Sequence, residues 1–185
     1  MRSFLAILLS EETRKKLAQC TKKLKAAGAD VKWVEEDNFH ITLSFFGEID
    51  RGTCDALIKA MPEITKGLEP FPLSLYGIGA FPSLRRPRVI WAGVREGSRE
   101  IIEVHRRVLP VTQSLGFSED KKFSPHITLG RVRSQTQLER LLPLAERIQG
   151  LGEDSVKGIS LMESSLTPRG PEYSELAFAK LINSN

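Results

Sequence analysis

His-Ile-Thr-Leu stands at His40–Leu43 and occurs again at His126–Leu129, nearly half of the 185-residue chain later. The chain has three histidines, and two of them open these tetrapeptides. Histidine is the side chain whose ordinary pKa, about 6.5, lets it accept or donate a proton near neutral pH. Because the same motif opens two matching segments, we predict two pseudo-symmetric lobes that share one site of proton transfer.

Both tetrapeptides are predicted to lie on β-strands, because apolar and other residues alternate along them. Successive side chains of a strand point to opposite faces. This alternation places His40, Thr42 and Phe46 on one face of the first strand, opposite an apolar face that we expect in the core. It likewise places His126 and Thr128 together on the second strand.

Apolar periodicity predicts alternating strands and helices along the rest of the chain. The predicted strands cover residues 4–9, 31–34, 39–46, 71–78, 88–94, 123–132, 156–166 and 172–181. The predicted helices cover residues 11–28, 51–64, 98–115 and 135–148, and prolines at 62, 110 and 143 are expected to disturb three of them. No segment is typical of a linker, so we expect a single domain over residues 1–185 that is made of two intertwined lobes.

The composition is that of an ordinary globular protein, with 41% hydrophobic and 27% charged residues and a formal net charge of +4. No apolar run approaches the ~20 residues that a membrane helix needs. Cys20 and Cys54 match no zinc spacing and are interpreted as reduced residues in or near the core. We therefore expect a cytoplasmic monomer with no membrane contact, whose mild positive charge permits an anionic partner.

The two His-x-Thr strands suit in-line displacement at phosphorus. If the strands meet in one pocket, a neutral imidazole can take a proton from the attacking oxygen, while a protonated one gives a proton to the departing oxygen. The threonine hydroxyls and a nearby arginine can hold the non-bridging oxygens, whose negative charge grows in the transition state. We expect no cofactor and no metal ion, because a three-histidine zinc site would require His105, which we place in a helix outside the pocket.

The sequence resembles the two-histidine (2H) phosphoesterase superfamily, and within it the bacterial and archaeal RNA 2′,3′-cyclic phosphodiesterases, also called 2′-5′ RNA ligases. The two histidine motifs are the specific part of a resemblance that runs nearly end to end. The segments that carry it are Arg2–Ile7, Trp33–Val34, Asn38–Glu48, Gly79–Pro82, Pro87–Val94 and Phe123–Arg131.

The resemblance implies an α+β fold with two lobes, whose antiparallel sheets face a central cleft and whose helices lie outside. It implies that the enzyme opens a 2′,3′-cyclic phosphate at an RNA 3′ end and leaves a 2′-phosphate. His40 would be the proton donor to the leaving oxygen, His126 the proton acceptor, and Thr42 and Thr128 would bind the phosphate. Some members also join a 5′-hydroxyl to the cyclic end through a 2′-5′ linkage.

Further contacts with the RNA end are expected from basic and aromatic side chains. Arg131 is a candidate for the phosphate, although strand alternation points it away from the histidines unless Gly130 hosts a bulge. Phe46, on the His40 face, is the first candidate for stacking a base. Weaker candidates are Tyr76, Phe81 and Trp91 for stacking, and Arg85, Arg86 and Arg88 for phosphate contacts.

Two alternatives stay open at this point. One keeps the site but changes the substrate to another cyclic or 2′-5′ phosphodiester. The other is a non-catalytic module that binds RNA ends. The presence of both histidines disfavours a mere binding pocket, because arginines bind phosphate more effectively.

Overall fold

The computed structural model describes residues 1–118, 122–168 and 170–182, which form a curled antiparallel sheet with helices outside it. The strands are β1 (Arg2–Leu8), β2 (Val31–Trp33), β3 (His40–Glu48), β4 (Phe71–Ser83), β5 (Arg86–Val94), β6 (His126–Val132), β7 (Gly150–Val156), β8 (Gly158–Thr167) and β9 (Gly170–Lys180). The helices are α1 (Glu11–Lys25), α2 (Arg51–Thr65), α3 (Ser98–Ser114) and α4 (Leu141–Arg147). The predicted α+β class is confirmed.

The two repeated strands lie side by side at the centre of the sheet. The strand order is β7-β4-β5-β6-β3-β1-β8-β9, and the short β2 pairs with β6. Strands β3 and β6 meet through an antiparallel pair, Ile41 with Ile127. Strands β3, β1, β8 and β9 form the first of the two lobes, and β6, β5, β4 and β7 with β2 form the second. Both lobes belong to one sheet and join through this pair.

The helices cover the face of the sheet that lies opposite the histidines. Helices α1 and α4 pack on strands of the second lobe, β7 and β4, whereas α2 packs on β8 and β9 and α3 on β3. Ile41, Leu43, Ile127 and Leu129 are buried in the core beneath these helices. The His and Thr side chains that alternate with them consequently lie on the other, open face.

Local sequence accounts for where the helices begin. The Ser10 hydroxyl accepts a hydrogen bond of 3.2 Å from the backbone N–H of Thr13, as expected of a residue that caps a helix. The Asp50 carboxylate does the same for Thr53 at 2.7 Å. In both helices the cap satisfies an N–H group that has no partner within the helix.

The region over residues 135–148 differs from its prediction as one long helix. It contains a 3₁₀ turn at Leu138–Arg140 and then the seven-residue α4. Pro143 lies in the first turn of α4, where a missing N–H removes no intrahelical bond, so the proline starts a helix and does not break one. Strand β7 was not predicted, because only Leu151 and Val156 of this edge strand are buried.

Three expectations about single residues and spans can be compared with the structure. Cys20 and Cys54 are free and buried, and burial raises the pKa of the Cys20 thiol to about 11. His105 is buried in α3, where its ring stacks on Phe123 with centroids 3.8 Å apart. Within the described residues, no helix is long and apolar enough to cross a membrane.

Candidate active site

The site is built on the antiparallel pairing of β3 with β6. Because Ile41 pairs with Ile127, the antiparallel direction brings His40 towards Thr128 and Thr42 towards His126. All four side chains lie on the open face and are half-buried. Diagonal neighbours on adjacent strands lie roughly 7–8 Å apart, and we expect this spacing to leave room for a single small group between the two imidazoles.

Both imidazoles are held in the same tautomer. Nδ1 of His40 lies 2.7 Å from the backbone oxygen of Asn38, and Nδ1 of His126 lies 2.7 Å from that of Ser124. A carbonyl oxygen only accepts hydrogen bonds, so Nδ1 carries the hydrogen in each ring. Nε2 is therefore the nitrogen that can exchange a proton with a ligand, and in His40 it lies 2.9 Å from the Thr42 hydroxyl.

Aromatic rings pack against each imidazole and restrict its orientation. His40 lies 4.8 Å from the Phe4 ring and 5.4 Å, edge to face, from Tyr173. His126 meets Phe81 edge to face at 5.0 Å between centroids. Each catalytic candidate thus has one backbone hydrogen bond and an aromatic wall that fix its position.

Burial is the main influence on the pKa of both histidines and lowers each of them below its ordinary value. For His40 the hydrogen bond to Asn38 opposes this effect, and the charge of His126 adds to it. For His126 the hydrogen bond to Ser124 opposes it, and the charge of Arg131 adds to it. The influence of His126 on His40 agrees with their diagonal placement, and the neutral form of both rings is favoured in the free protein.

A cavity of about 380 Å³ opens over this face. His40, Thr42, Thr128 and Arg131 are among its walls, and His126 is not, although it lies two residues before Thr128 on the same strand face. The other polar and aromatic walls include Arg2, Lys32, Asn38, Phe45, Ser164 and Tyr173. Five of the six predicted site residues, all except Phe46, are therefore brought to one region of the open face.

A β-bulge in each repeated strand changes which side chains reach the cavity. The pairing of β1 with β3 skips Leu43, and skips Phe46 further along, while the pairing of β5 with β6 skips Leu129. The bulges at the two leucines are equivalent. The extra residue reverses the alternation of side chains beyond it. As a result Phe45 of the first strand and Arg131 of the second both point into the cavity.

The bulges determine where two of the predicted site residues lie. Strand alternation points Arg131 away from the histidines, but the bulge at Leu129, next to Gly130, turns it into the cavity. Phe46, expected beside His40, is 7% exposed and packs in the core against Phe117 at 4.9 Å. Its place is taken by Phe45, which is 53% exposed and has the Arg2 guanidinium 5.1 Å from its ring centroid.

The other candidates from the sequence lie elsewhere or play another part. Arg85, Arg86 and Arg88 are exposed around the β4–β5 turn and are not among the cavity walls. The Arg95 guanidinium lies 3.5 Å from the ring centroid of Tyr76. Tyr76 is also outside the cavity. Phe81 contacts His126, and Trp91 lies 6.4 Å from the same ring.

Sequence reasoning missed several walls of the cavity. Arg2 and Phe4 are two residues apart on β1 and therefore share one face of that strand. This pattern would identify both as cavity walls once β1 is known to pair with β3. Tyr173 and Lys32 gave no such signal, because β9 and β2 reach the site only through the order of the strands. Among the residues that the structure describes, no three His, Cys, Asp or Glu side chains are grouped as a metal site would require.

The paired His-x-Thr strands are the feature by which the sequence resembled the two-histidine phosphoesterases. The comparisons with known proteins identify the family. The model of the LigT-like phosphoesterases matches residues 7–91 and 93–173, and the chain belongs to that family.

Individual relatives match over almost their whole length. The chain is 34% identical over 183 residues to the RNA 2′,3′-cyclic phosphodiesterase of Methanothermobacter thermautotrophicus, covering 98% of this chain and 99% of that one. It is 35% identical over 176 residues to the enzyme of the same name from Archaeoglobus fulgidus, covering 95% of this chain and 98% of that one. The crystal structure of Escherichia coli LigT with 3′-AMP superimposes with a TM-score of 0.79 at 27% identity, over 97% of both chains.

Proposed function

We propose that this enzyme opens the 2′,3′-cyclic phosphate at the 3′ end of an RNA and leaves a 2′-phosphate, without a metal ion. The observation that carries the proposal is the matched pair of imidazoles, each with Nδ1 bonded to a backbone oxygen at 2.7 Å and Nε2 left to exchange a proton. The relatives named RNA 2′,3′-cyclic phosphodiesterases support this substrate class.

In the proposed reaction, His126 accepts a proton from water as the water oxygen attacks phosphorus. The bond between phosphorus and the 3′ oxygen breaks, and His40 gives its Nε2 proton to that oxygen. The two protons exchanged with the histidines balance, and solvent restores both rings. Each positioned acid or base typically contributes about 10²–10⁴-fold to the rate.

This division of roles requires His126 to be neutral and His40 to be protonated when the substrate is bound. Arg131 adds to the effect of burial in keeping His126 neutral, which suits a proton acceptor. His40 must be protonated to act as donor, and a bound phosphate supplies a negative charge that raises its pKa. Thr42 lies 2.9 Å from Nε2 of His40 and can orient that ring before substrate arrives.

The remaining phosphate oxygens need hydrogen-bond donors. We assign this role to the hydroxyls of Thr42 and Thr128 and to the guanidinium of Arg131, all of which are cavity walls. Losing one donor aimed at a developing negative charge commonly costs about 3–4 kcal/mol in the transition state. Because water and a 5′-hydroxyl are chemically alike as nucleophiles, the same groups can also serve 2′-5′ joining. In that reaction the 5′-hydroxyl attacks phosphorus in place of water, and the bond to the 3′ oxygen breaks as before.

The terminal nucleoside is assigned to the side of the cavity formed by Phe45 and Leu166. Their side chains are 53% and 76% exposed in the free protein, which leaves apolar surface for a base to cover. An aromatic ring stacks on any base, so this contact would confer little sequence preference.

The decisive test is an assay of the purified chain on a short RNA that ends in a 2′,3′-cyclic phosphate, with and without excess EDTA. We expect a 2′-phosphate product at an equal rate in both conditions. Binding of the RNA without turnover between pH 5 and 8 would favour an end-binding module. Activity that is lost in EDTA and restored by zinc would contradict the metal-free mechanism.

A further inference from the structure

We propose that Lys32 forms, beside Arg131, a second phosphate subsite that takes the phosphate on the 5′ side of the reacting nucleotide. This inference rests on the proposed function. It adds a substrate preference: an RNA chain, or a 5′-phosphorylated nucleotide, should react better than a nucleoside cyclic phosphate with a free 5′-hydroxyl.

The first observation is a like-charge pair on adjacent strands. Lys32 of β2 is the direct partner of Arg131 of β6 in the antiparallel register. Both side chains are exposed and both are walls of the cavity. Like charges directly opposite each other destabilise a sheet, so anions bound to these two side chains would relieve a cost that the free protein carries.

The second observation is the absence of compensating negative charge. The described walls of the cavity include Arg2, Lys32 and Arg131 and no Asp or Glu side chain. In the described part of the chain, no carboxylate lies within ion-pair distance of Lys32 or Arg131. A cyclic phosphodiester carries one negative charge, which Arg131 and the reacting histidines already meet, so Lys32 is left for another anion.

The third observation is distance along the sheet. Arg131 follows Thr128 by three residues, roughly 7–10 Å of strand, and Lys32 lies across from it on the next strand. Lys32 is therefore about one nucleotide away from the place where we put the reacting phosphorus. Its flexible ammonium group can reach a neighbouring phosphate as a point charge, without the fixed geometry of an arginine.

The probe is a matched pair of substrates: one nucleoside 2′,3′-cyclic phosphate with a free 5′-hydroxyl, and the same compound with a 5′-phosphate. They share the base, the sugar and the reacting bond. For the wild-type chain we expect kcat/KM to be about two- to fivefold higher with the 5′-phosphate, the range of one solvent-exposed ion pair. The gain should shrink as salt is added, because exposed charges are screened.

Variants locate the subsite through the ratio of kcat/KM with the 5′-phosphate to kcat/KM without it. A substitution that changes the rates for both substrates equally leaves this ratio unchanged. Lys32→Gln should bring the ratio to one. Lys59→Gln, an exposed lysine of α2 outside the cavity, should keep the wild-type ratio. Arg2→Gln should also keep it, since that guanidinium lies over Phe45 on the other side of the cavity.

The outcomes separate the subsite from the proposed function. If the wild-type chain opens both substrates equally well, the subsite is wrong and the proposed function stands. The subsite is also wrong if Lys32→Gln keeps the gain, or if Arg2→Gln removes it. If neither substrate is opened by the wild-type chain, the proposed function fails and the subsite falls with it.

Discussion

Phe45 and Arg131 occupy the same position in the two repeated strands, five residues after His40 and His126 respectively, and both point into the cavity. Each is turned inward by a bulge at the leucine of the repeated tetrapeptide. The pseudo-symmetric site therefore becomes asymmetric at this position, with an aromatic ring from one lobe and a guanidinium from the other. A substrate with a base at one end and a phosphate at the other is therefore expected to bind in one orientation, with its base at Phe45 and its phosphate at Arg131.

The bulge in β3 predicts opposite phenotypes for two adjacent phenylalanines. Phe45→Ala should raise KM for a nucleotide substrate and leave the free energy of unfolding nearly unchanged, because Phe45 is exposed. Phe46→Ala should destabilise the fold by about 3–5 kcal/mol, as is usual when a core aromatic is truncated. Steady-state kinetics and urea unfolding of both variants check this. The prediction is wrong if Phe45→Ala lowers the free energy of unfolding and Phe46→Ala leaves it unchanged.

Gly130, which follows the bulge in β6, packs closely against β2. A Cβ placed there would meet Cγ1 of Val31 at 2.6 Å and the Trp33 ring at 3.0 Å, and neither group is the end of a flexible side chain. Gly130→Ala should therefore cost about 1–3 kcal/mol of unfolding free energy and lower kcat/KM by displacing Arg131.

Gly150→Ala is the matched control, because a Cβ at Gly150 meets nothing within 4 Å. It should leave both kinetics and unfolding close to wild type. Crowding at Gly130 is refuted if its alanine variant behaves like the Gly150 variant in both measurements.

The sequence was sufficient to predict the parts of the site that follow from local pattern. The repeated tetrapeptide predicted that His40 and His126 share a face with Thr42 and Thr128, since alternation holds up to the leucine. It failed at Phe46, one bulge further along, because a bulge is set by how a strand pairs with its neighbour and not by its own composition. In β6 the glycine gave a visible signal for the bulge, whereas Ser44 in β3 gave none.

The contributions from distant strands were outside the reach of sequence pattern. Tyr173 reaches His40 from β9, which is separated from β3 by β1 and β8 in the sheet. Lys32 lies in a three-residue strand that only the pairing with β6 places at the cavity. Both depend on tertiary pairing, which the pattern of residues within a strand does not specify.

The two-histidine mechanism predicts large and non-additive losses for the catalytic candidates. His40→Ala and His126→Ala should each lower kcat by about 10²–10⁴-fold on an RNA cyclic end, because each removes one proton transfer. The double variant should lose less than the product of the two, since the rings act on one reaction as a unit. Circular dichroism should confirm that each variant is folded, and near-normal turnover in either single variant would exclude the proposed roles.

The lowered pKa of both imidazoles predicts how stability depends on pH. In the unfolded chain a histidine titrates near its ordinary value of about 6.5, whereas in the folded protein burial chiefly disfavours the charged form of His40 and of His126. Above that value both states are neutral and the two residues have no effect. As pH falls below it, the unfolded state binds protons first, so the free energy of unfolding falls, by up to about 1.4 kcal/mol per pH unit for each histidine.

Urea unfolding between pH 7 and pH 5 measures this effect, and the double variant His40→Gln with His126→Gln isolates it from the other ionisable groups. We expect the wild-type curve to decline more steeply than that of the double variant in this interval. Added phosphate should lessen the decline in the wild-type chain, because an anion between the two rings favours their protonated forms. Parallel curves for the two proteins would show that burial does not suppress protonation of these rings.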